Sequence, residues 1–114
     1  MISLTRKKDF DSIFTLGRWI TPRNNEVKIR AQRGGILEVA ISISRKSGNA
    51  VRRNKARRQV RELLRHFESN LGLRGRFVLI LQKKFVEDEF VRKKEELEKS
   101  LKRFMVCDHR NISD

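Results

Sequence analysis

The chain has 114 residues, enough for one small domain with a single hydrophobic core, and its 38% hydrophobic content is that of a globular protein. It carries 28 lysines and arginines against 14 acids, and a net charge of +14 favours binding to nucleic acid or an anionic surface. No apolar run reaches the roughly 18 residues that cross a bilayer, no apolar signal segment opens the sequence, and Cys107 has no second cysteine to pair with. We therefore expect a cytoplasmic protein with no membrane partner.

The first predicted element is a helix over residues 4–17. Thr5 is the candidate N-cap, and Gly17 is a candidate C-cap in a left-handed turn. Phe10 and Phe14 lie one turn apart on its apolar side. That spacing suits packing into a core and stacking against single-stranded bases about equally, so both interpretations stay open.

Three short strands are expected next. Residues 18–22 suit an edge strand because Pro22 cannot donate to a sheet. Residues 26–32 and 36–44 alternate apolar and polar side chains, and the glycine turn at 33–35 predicts that they form an antiparallel hairpin. The second face of this pair is small or polar and would suit an extended strand of nucleic acid; it includes Lys28, Arg30, Ala40 and Ser42.

The most informative segment runs from Arg45 to Arg65, where nine residues are lysine or arginine and Glu62 is the only acid. Asn49 after Gly48 predicts the N-cap of a helix that ends near Asn70. At helical spacing one arc of about 100° is apolar and would face the core; it contains Ala56, Val60, Leu63, Leu64 and Phe67.

The opposite side of this helix is almost purely cationic, with Asn54, Arg57, Arg58, Arg61 and Arg65. A solvated helix face usually mixes charge signs, because like charges one turn apart cost a few tenths of a kcal/mol per pair. An unmixed cationic face therefore favours binding to a polyanion over simple solvation.

The last third predicts a strand and a helix. Residues 76–82 form a near-continuous apolar run typical of a central or parallel strand, so strand, basic helix and strand make a βαβ unit. The acids at 87–89 are expected to open a final helix that ends near Met105, because the helix dipole stabilises acids in a first turn. This interpretation is favoured over a metal site. Residues 106–114 are expected to be a frayed tail.

Catalytic and cofactor motifs are absent from the sequence. His66, near a helix end, has no partner at a spacing that suits acid–base catalysis. A binding module is therefore favoured over a catalyst. RNA is favoured over DNA because the basic helix lies between strands and not in a helix-turn-helix unit.

Residues 46–62, KSGNAVRRNKARRQVRE, resemble the signature of the bacterial ribonuclease P protein component, roughly K-x-G-x-A-V-x-R-N-x-x-K/R-R-x-x-R-E. Residues 6–17, RKKDFDSIFTLG, are similar to the first helix of that family. The resemblance covers about residues 4–105 of a single RNA-binding domain spanning 1–114. It implies an α+β fold of order α-β-β-β-α-β-α, with a mixed sheet and a left-handed βαβ crossover, against the usual right-handed preference.

The resemblance also implies a function. The protein would join a catalytic RNA in a ribonucleoprotein endoribonuclease that removes the 5′ leader of precursor tRNA. The RNA, with Mg²⁺, would perform the hydrolysis, and the protein alone would be inactive and hold no metal tightly.

The resemblance assigns two groups of site residues. The RNA-binding group would be Lys46, Arg52, Arg53, Asn54, Lys55, Arg57, Arg58, Arg61 and Arg65, with Asn54 also a candidate metal contact. The leader cleft would be lined by Phe10, Phe14, Lys28, Arg30 and Ser42. Lys28 and Arg30 stand where the family leads us to expect phenylalanine or tyrosine, so leader contacts here are expected to rely more on charge than on stacking.

Two alternatives come from other classes. A general RNA-binding or ribosomal protein would share the charge but would not explain the ordered signature. A self-sufficient nuclease would need a catalytic set that the sequence lacks.

Overall fold

The computed structural model describes residues 1–20 and 26–113, with side chains described as far as Met105. The strands are β1 (Ile2–Ser3), β2 (Arg18–Trp19), β3 (Val27–Gln32), β4 (Leu37–Ile43) and β5 (Gly75–Leu81). The helices are α1 (Lys7–Leu16), α2 (Ala50–Leu71), α3 (Lys83–Glu87) and α4 (Phe90–Ser113), and a 3-10 turn spans Arg45–Ser47. Within the described ranges, no helix combines the length and the apolar character that a membrane span requires.

The five strands form one mixed sheet in the order β1-β4-β5-β3-β2. β5 is parallel to β4 and antiparallel to β3, which confirms the predicted mixed sheet and the βαβ unit formed by β4, α2 and β5. The left-handedness of that crossover remains a prediction. The predicted element order is also confirmed, with the two-residue strand β1 and the short helix α3 as additions.

The predicted hairpin between residues 26–32 and 36–44 is wrong, because β5 lies between β3 and β4. Phe77, Val78 and Leu79 of β5 are fully buried, so both faces of this strand need cover and both of its edges need partners. β3 and β4 each have a polar face, so they can lie farther from the centre of the sheet than β5. The Gly34 turn passes beside the first residue of β5 and does not join a hairpin.

The sheet separates two apolar layers of unequal size. On one face, β3, β4 and β5 pack against α2, α3 and α4, and the predicted apolar stripe of α2 is buried there in full. On the other face α1 buries Ile13 against Ala40 and Val78. The face under α1 therefore holds a much smaller core.

The predicted N-cap of the first helix is wrong, and its predicted C-cap, Gly17, is confirmed in position but not in conformation. α1 begins at Lys7 after Arg6, with no side-chain cap from Thr5. Gly17 has extended backbone, with φ −88°, and not a left-handed turn. The position has no room for a side chain, since a Cβ atom would overlap the carbonyl oxygen of Ile13 and lie 2.7 Å from that of Ala31.

The predicted ends of the basic helix are confirmed. Asn49 caps α2, its side-chain oxygen accepting a 2.9 Å hydrogen bond from the backbone N–H of Arg52. Gly72 ends the helix in the left-handed region, with φ 66°. Gly48, with φ 155°, makes the turn into the helix.

The predicted start of the last helix at residues 87–89 is wrong. Glu87 ends α3, Asp88 follows it, and α4 begins at Phe90 with no acid in its first turn. Burial of Phe85 and Val86 explains the break, because it holds the short helix α3 against the core. α4 continues to Ser113, past the predicted end near Met105.

Asp88 lies beside a buried glutamate. Glu26, whose side chain is 1% exposed, contacts Arg92 at 3.2 Å and Lys84 at 3.3 Å. Burial raises the pKa of Glu26, but the hydrogen bonds and charges of Arg92 and Lys84 outweigh it, so the pKa is lowered overall. Burial, followed by the carboxylate of Glu26, raises the pKa of Asp88.

We expect Asp88→Asn to stabilise the protein at neutral pH by a few tenths of a kcal/mol, the scale of a like-charge contact. An acid whose pKa is raised on folding loses protons more readily in the unfolded chain, so its ionisation lowers the free energy of unfolding. The gain should shrink as the pH falls and Asp88 becomes protonated in the parent protein. Urea unfolding at pH 7 and pH 4 measures this, and a gain that grew at pH 4 would contradict it.

Candidate nucleic-acid interface

The cationic side of α2 faces solvent in its middle and meets other elements on both flanks. Arg58 and Arg65 are exposed along the crest, together with Asn54. The side-chain oxygen of Asn54 accepts a 3.3 Å hydrogen bond from Arg57. The crest therefore presents guanidinium groups that reach outward, as contacts to a phosphate backbone require.

One flank of α2 faces the segment between α3 and α4. Arg52 and Lys55 line a cleft of about 320 Å³ there, opposite Glu87 and Glu89. Lys93, only 3% exposed, donates a 2.8 Å hydrogen bond to the side chain of Gln59 in this cleft. Burial, and after it the charge of Lys55, lowers the pKa of Lys93. Acids and bases are both present, so this flank is close to balanced in charge.

The other flank faces the outer edge of the sheet. Arg57 and Arg61 are half-buried and line a second cleft, of about 290 Å³, beside β1 and β4. None of the described residues that line this cleft is acidic. The positive charge of α2 is therefore least balanced along the crest and on this flank.

The remaining predicted RNA-binding residues lie at the start of α2. Lys46 is exposed in the 3-10 turn. Arg53 is half-buried, and its Nε atom is buried without a hydrogen-bond partner in the part of the chain that the structure describes. The predicted RNA-binding residues thus share one turn and one helix, although they do not share one plane.

The sheet face under α1 is only partly covered. Lys28, Ile80 and Ser42 lie abreast on β3, β5 and β4, and this row is left open. The next row, Arg30, Val78 and Ala40, lies beneath α1, which also places Phe10 half-buried against it. The open row is therefore the floor of a groove with α1 as one wall.

A polar cluster in the third row fixes α1 to the sheet. The guanidinium of Arg76 on β5 contacts Glu38 at 2.7 Å, Gln32 at 3.1 Å, Ser12 at 3.3 Å and Asp9 at 3.5 Å. Two of these partners belong to the neighbouring strands and two to α1. One side chain of the central strand thus sets the position of the helix that walls the groove.

Arg30 lies between two aromatic rings at the mouth of the groove. Its guanidinium is 5.9 Å from the centre of Phe14 and 5.2 Å from that of Trp19, and it donates a 2.7 Å hydrogen bond to the Phe14 carbonyl oxygen. The two rings meet edge to face at 5.7 Å. Phe14 is 37% and Trp19 47% exposed, so this cluster offers flat apolar surface as well as charge.

Trp19 was not among the predicted site residues. The sequence feature that could have identified it is that the one tryptophan of the chain lies in a short edge strand, where it cannot be buried in the core. Pairing with Arg30 in the register of β2 and β3 puts it on the same face as the groove. Arg30, predicted to contact the leader more through charge than through stacking, here completes an aromatic cluster.

The groove and the basic helix adjoin. β4 ends at Ile43, one residue after Ser42, and the 3-10 turn leads from there into α2. An extended chain leaving the open row past Ser42 would meet Lys46 and the first turns of α2 next. A single strand and a folded polyanion therefore have neighbouring places on one surface.

The described residues contain no group of three or more histidine, cysteine or acidic side chains that would hold a metal ion. Asn54 offers one oxygen ligand in surroundings of positive charge. A metal ion at that oxygen would need its other ligands, and its charge balance, from bound RNA.

Comparisons with known proteins agree on one family. The family model described as Ribonuclease P matches residues 2–105. The ribonuclease P protein component of Mycoplasmopsis pulmonis is 31% identical over 96 residues, which cover 84% of this chain and 85% of that protein. The corresponding protein of Listeria monocytogenes is 28% identical over 99 residues, covering 86% and 80%.

Solved structures give the same result for the fold. The RNase P protein from Thermotoga maritima matches with a TM-score of 0.72 at 31% identity, over 90% of this chain and 97% of that one. The RNase P protein of Staphylococcus aureus matches with a TM-score of 0.74 at 23% identity, over 90% and 94% of the two chains.

Proposed function

The chain belongs to the ribonuclease P protein family, and from that premise we propose that it binds a catalytic RNA and the 5′ leader of precursor tRNA, and so assists Mg²⁺-dependent removal of the leader. The observation that carries this proposal is the adjoining groove and cationic helix. We propose the cytoplasm as the compartment in which it acts.

The crest of α2 suits the catalytic RNA. Arg58 and Arg65 are exposed and hold no partner charge among the described residues, so phosphates can approach them without breaking an ion pair. Contacts to phosphate set position and most of the affinity, and they carry little sequence information. Such contacts suit an RNA recognised by its folded shape.

The groove suits the leader. A single strand is bound by a cationic path with flat groups for its bases, and Lys28, Arg30, Phe14 and Trp19 supply both. Bases stacked on the exposed rings would direct the strand along the open row towards α2. The residues of this chain thus bind and orient; Mg²⁺ held with the RNA supplies activation of water and stabilisation of the leaving oxygen.

The test is cleavage of a precursor tRNA by a bacterial ribonuclease P RNA at low Mg²⁺, with and without this protein. We expect the protein to restore cleavage at the 5′ maturation site and to show no cleavage without the RNA. A protein that bound the RNA tightly and never restored cleavage would favour a general RNA-binding protein. Cleavage by the protein free of RNA would favour a self-sufficient nuclease.

We expect Trp19→Ala to weaken binding of the holoenzyme to precursor tRNA by about fivefold to tenfold, the lower part of the range for one stacked base. Binding of tRNA without a leader should not change, because the loss arises in the groove. Titration of labelled precursor and mature tRNA measures both. Phe90→Ala, which removes a comparably exposed ring from α4, is the control. Equal losses for the two tRNAs would contradict a role in leader binding.

A further inference from the structure

The cleft beside β1 and β4 is distinct from the groove on the sheet face. Its apolar part is formed by Leu4, Phe10, Val39 and Ile41, and its cationic wall by Arg57 and Arg61 of α2. Its volume of about 290 Å³ is near the lower limit of small-ligand sites, roughly 300–1,000 Å³, and so suits a single planar group. The cleft thus joins an apolar floor to a pair of guanidinium groups one helical turn apart.

The charge of this cleft is unbalanced. Arg61 is half-buried, and no hydrogen bond or ion pair reaches its side chain from the described residues. Within the same part of the chain, the guanidinium of Arg57 has the amide oxygen of Asn54 as its one partner. A half-buried guanidinium without an anion loses part of its hydration and gains little in return, so an anionic group entering the cleft would bind favourably.

The floor also offers backbone groups. β1 pairs with β4 only at Glu38 and Val39, after which the chain turns away into α1. From Ala40 to Ile43, β4 has β5 on one side, and no strand of the described ranges pairs with its other side. Ile41 lies in this unpaired half and lines the cleft, and free N–H and C=O groups at a strand edge can pair with a base edge.

We propose that this cleft binds one unstacked nucleotide of RNA, its base against Leu4, Val39 and Ile41 and the two phosphates that flank it on Arg57 and Arg61. The inference rests on the proposed function and adds to it a pocket for a base. Phosphate contacts alone would need no apolar floor, so the floor is the reason to expect a base in this cleft. Two sources share this chemistry: a nucleotide flipped out of the catalytic RNA, and a nucleotide of the leader.

Ser3→Trp tests the pocket without changing any charge. Ser3 lines the cleft, and an indole in its place would occupy the space for the base. Ile2→Trp is the matched control, because neighbouring residues of a strand point to opposite faces and Ile2 is exposed outside the cleft. We expect Ser3→Trp to reduce the affinity for RNA about tenfold, the scale of losing the burial of one apolar group, and Ile2→Trp to reduce it less than twofold.

Two binding measurements separate the sources. Reduced affinity of the protein for the catalytic RNA, with leader binding unchanged, supports a nucleotide of that RNA. Reduced affinity of the holoenzyme for precursor but not mature tRNA supports a nucleotide of the leader. Equal behaviour of Ser3→Trp and Ile2→Trp in both assays overturns the pocket.

A second pair of variants decides the question if Ser3→Trp does not fold. Arg61→Gln and Arg65→Gln remove the same charge from α2, but only Arg61 lines the cleft. If the pocket exists, Arg61→Gln should reduce the affinity for RNA at least threefold more than Arg65→Gln does. Equal losses of affinity would overturn the pocket. A parent protein that still restores cleavage while these variants behave alike would refute the pocket and leave the proposed function intact.

Discussion

Replacing Arg57, Arg58 and Arg61 together with glutamine should lower the affinity for the catalytic RNA about a hundredfold at 0.15 M salt. Each phosphate contact contributes nearly one unit to the slope of log K against log salt, and three contacts correspond to roughly two orders of magnitude between that concentration and 1 M. The slope itself should fall by about three units. Filter binding or fluorescence anisotropy across a salt series gives both quantities.

The control is a second triple variant with the same change in net charge. Lys94, Lys99 and Arg103 lie on α4, whose outer face mixes acids and bases. Their replacement by glutamine should change the affinity by less than about threefold, because exposed charges more than a Debye length from a phosphate are screened. Equal losses for the two triple variants would show that net charge alone attracts the RNA and that the face of α2 has no special role.

Gly17→Ala should destabilise the protein by about 3 kcal/mol, at the upper end of the usual cost of overpacking. Its new methyl group would overlap two backbone oxygens, those of Ile13 in α1 and Ala31 in β3. Backbone atoms cannot turn aside as a side chain can, so α1 would have to move away from the sheet. Urea unfolding at one fixed anion concentration measures the loss, because bound anions add to apparent stability.

Gly35→Ala is the control for this substitution. A Cβ atom at Gly35 would meet no heavy atom within 4 Å, and its backbone is not left-handed. The change should stay within about 0.5 kcal/mol, as for most surface substitutions. A similar loss at both glycines would contradict an origin in the contact of α1 with β3, because at an unstrained position such as Gly35 the change lowers the entropy of the unfolded chain and so favours folding.

What the sequence predicts best is α2. Its length lets a period of 3.6 residues appear several times over, and Asn49 and Gly72 mark its ends by local chemistry. Its five apolar stripe residues are all buried as predicted. The division of its cationic side into a crest and two flanks was not predictable, because it depends on β1 and on the α3–α4 segment packing beside it.

The strand pairing illustrates a different limit. The alternation in β3 and β4 marks each as half-buried, but it does not name the neighbour of either strand. Two adjacent strands joined by glycines ordinarily form a hairpin; here the more apolar β5, more than 30 residues further on, takes the place between them. Trp19 was missed for the same reason, since only the register with β3 brings it to Arg30.

The central place of β5 has a consequence for how the chain folds. Without β5, the strands β3 and β4 have only the two-residue strands β2 and β1 as partners. The sheet therefore requires the long-range closure between Ile43 and Gly75, a kind of contact that slows folding because loop entropy is lost before pairing is gained. During synthesis, the residues before β5 form an unpaired, strongly basic nascent chain, and the domain becomes able to close only when that strand has emerged.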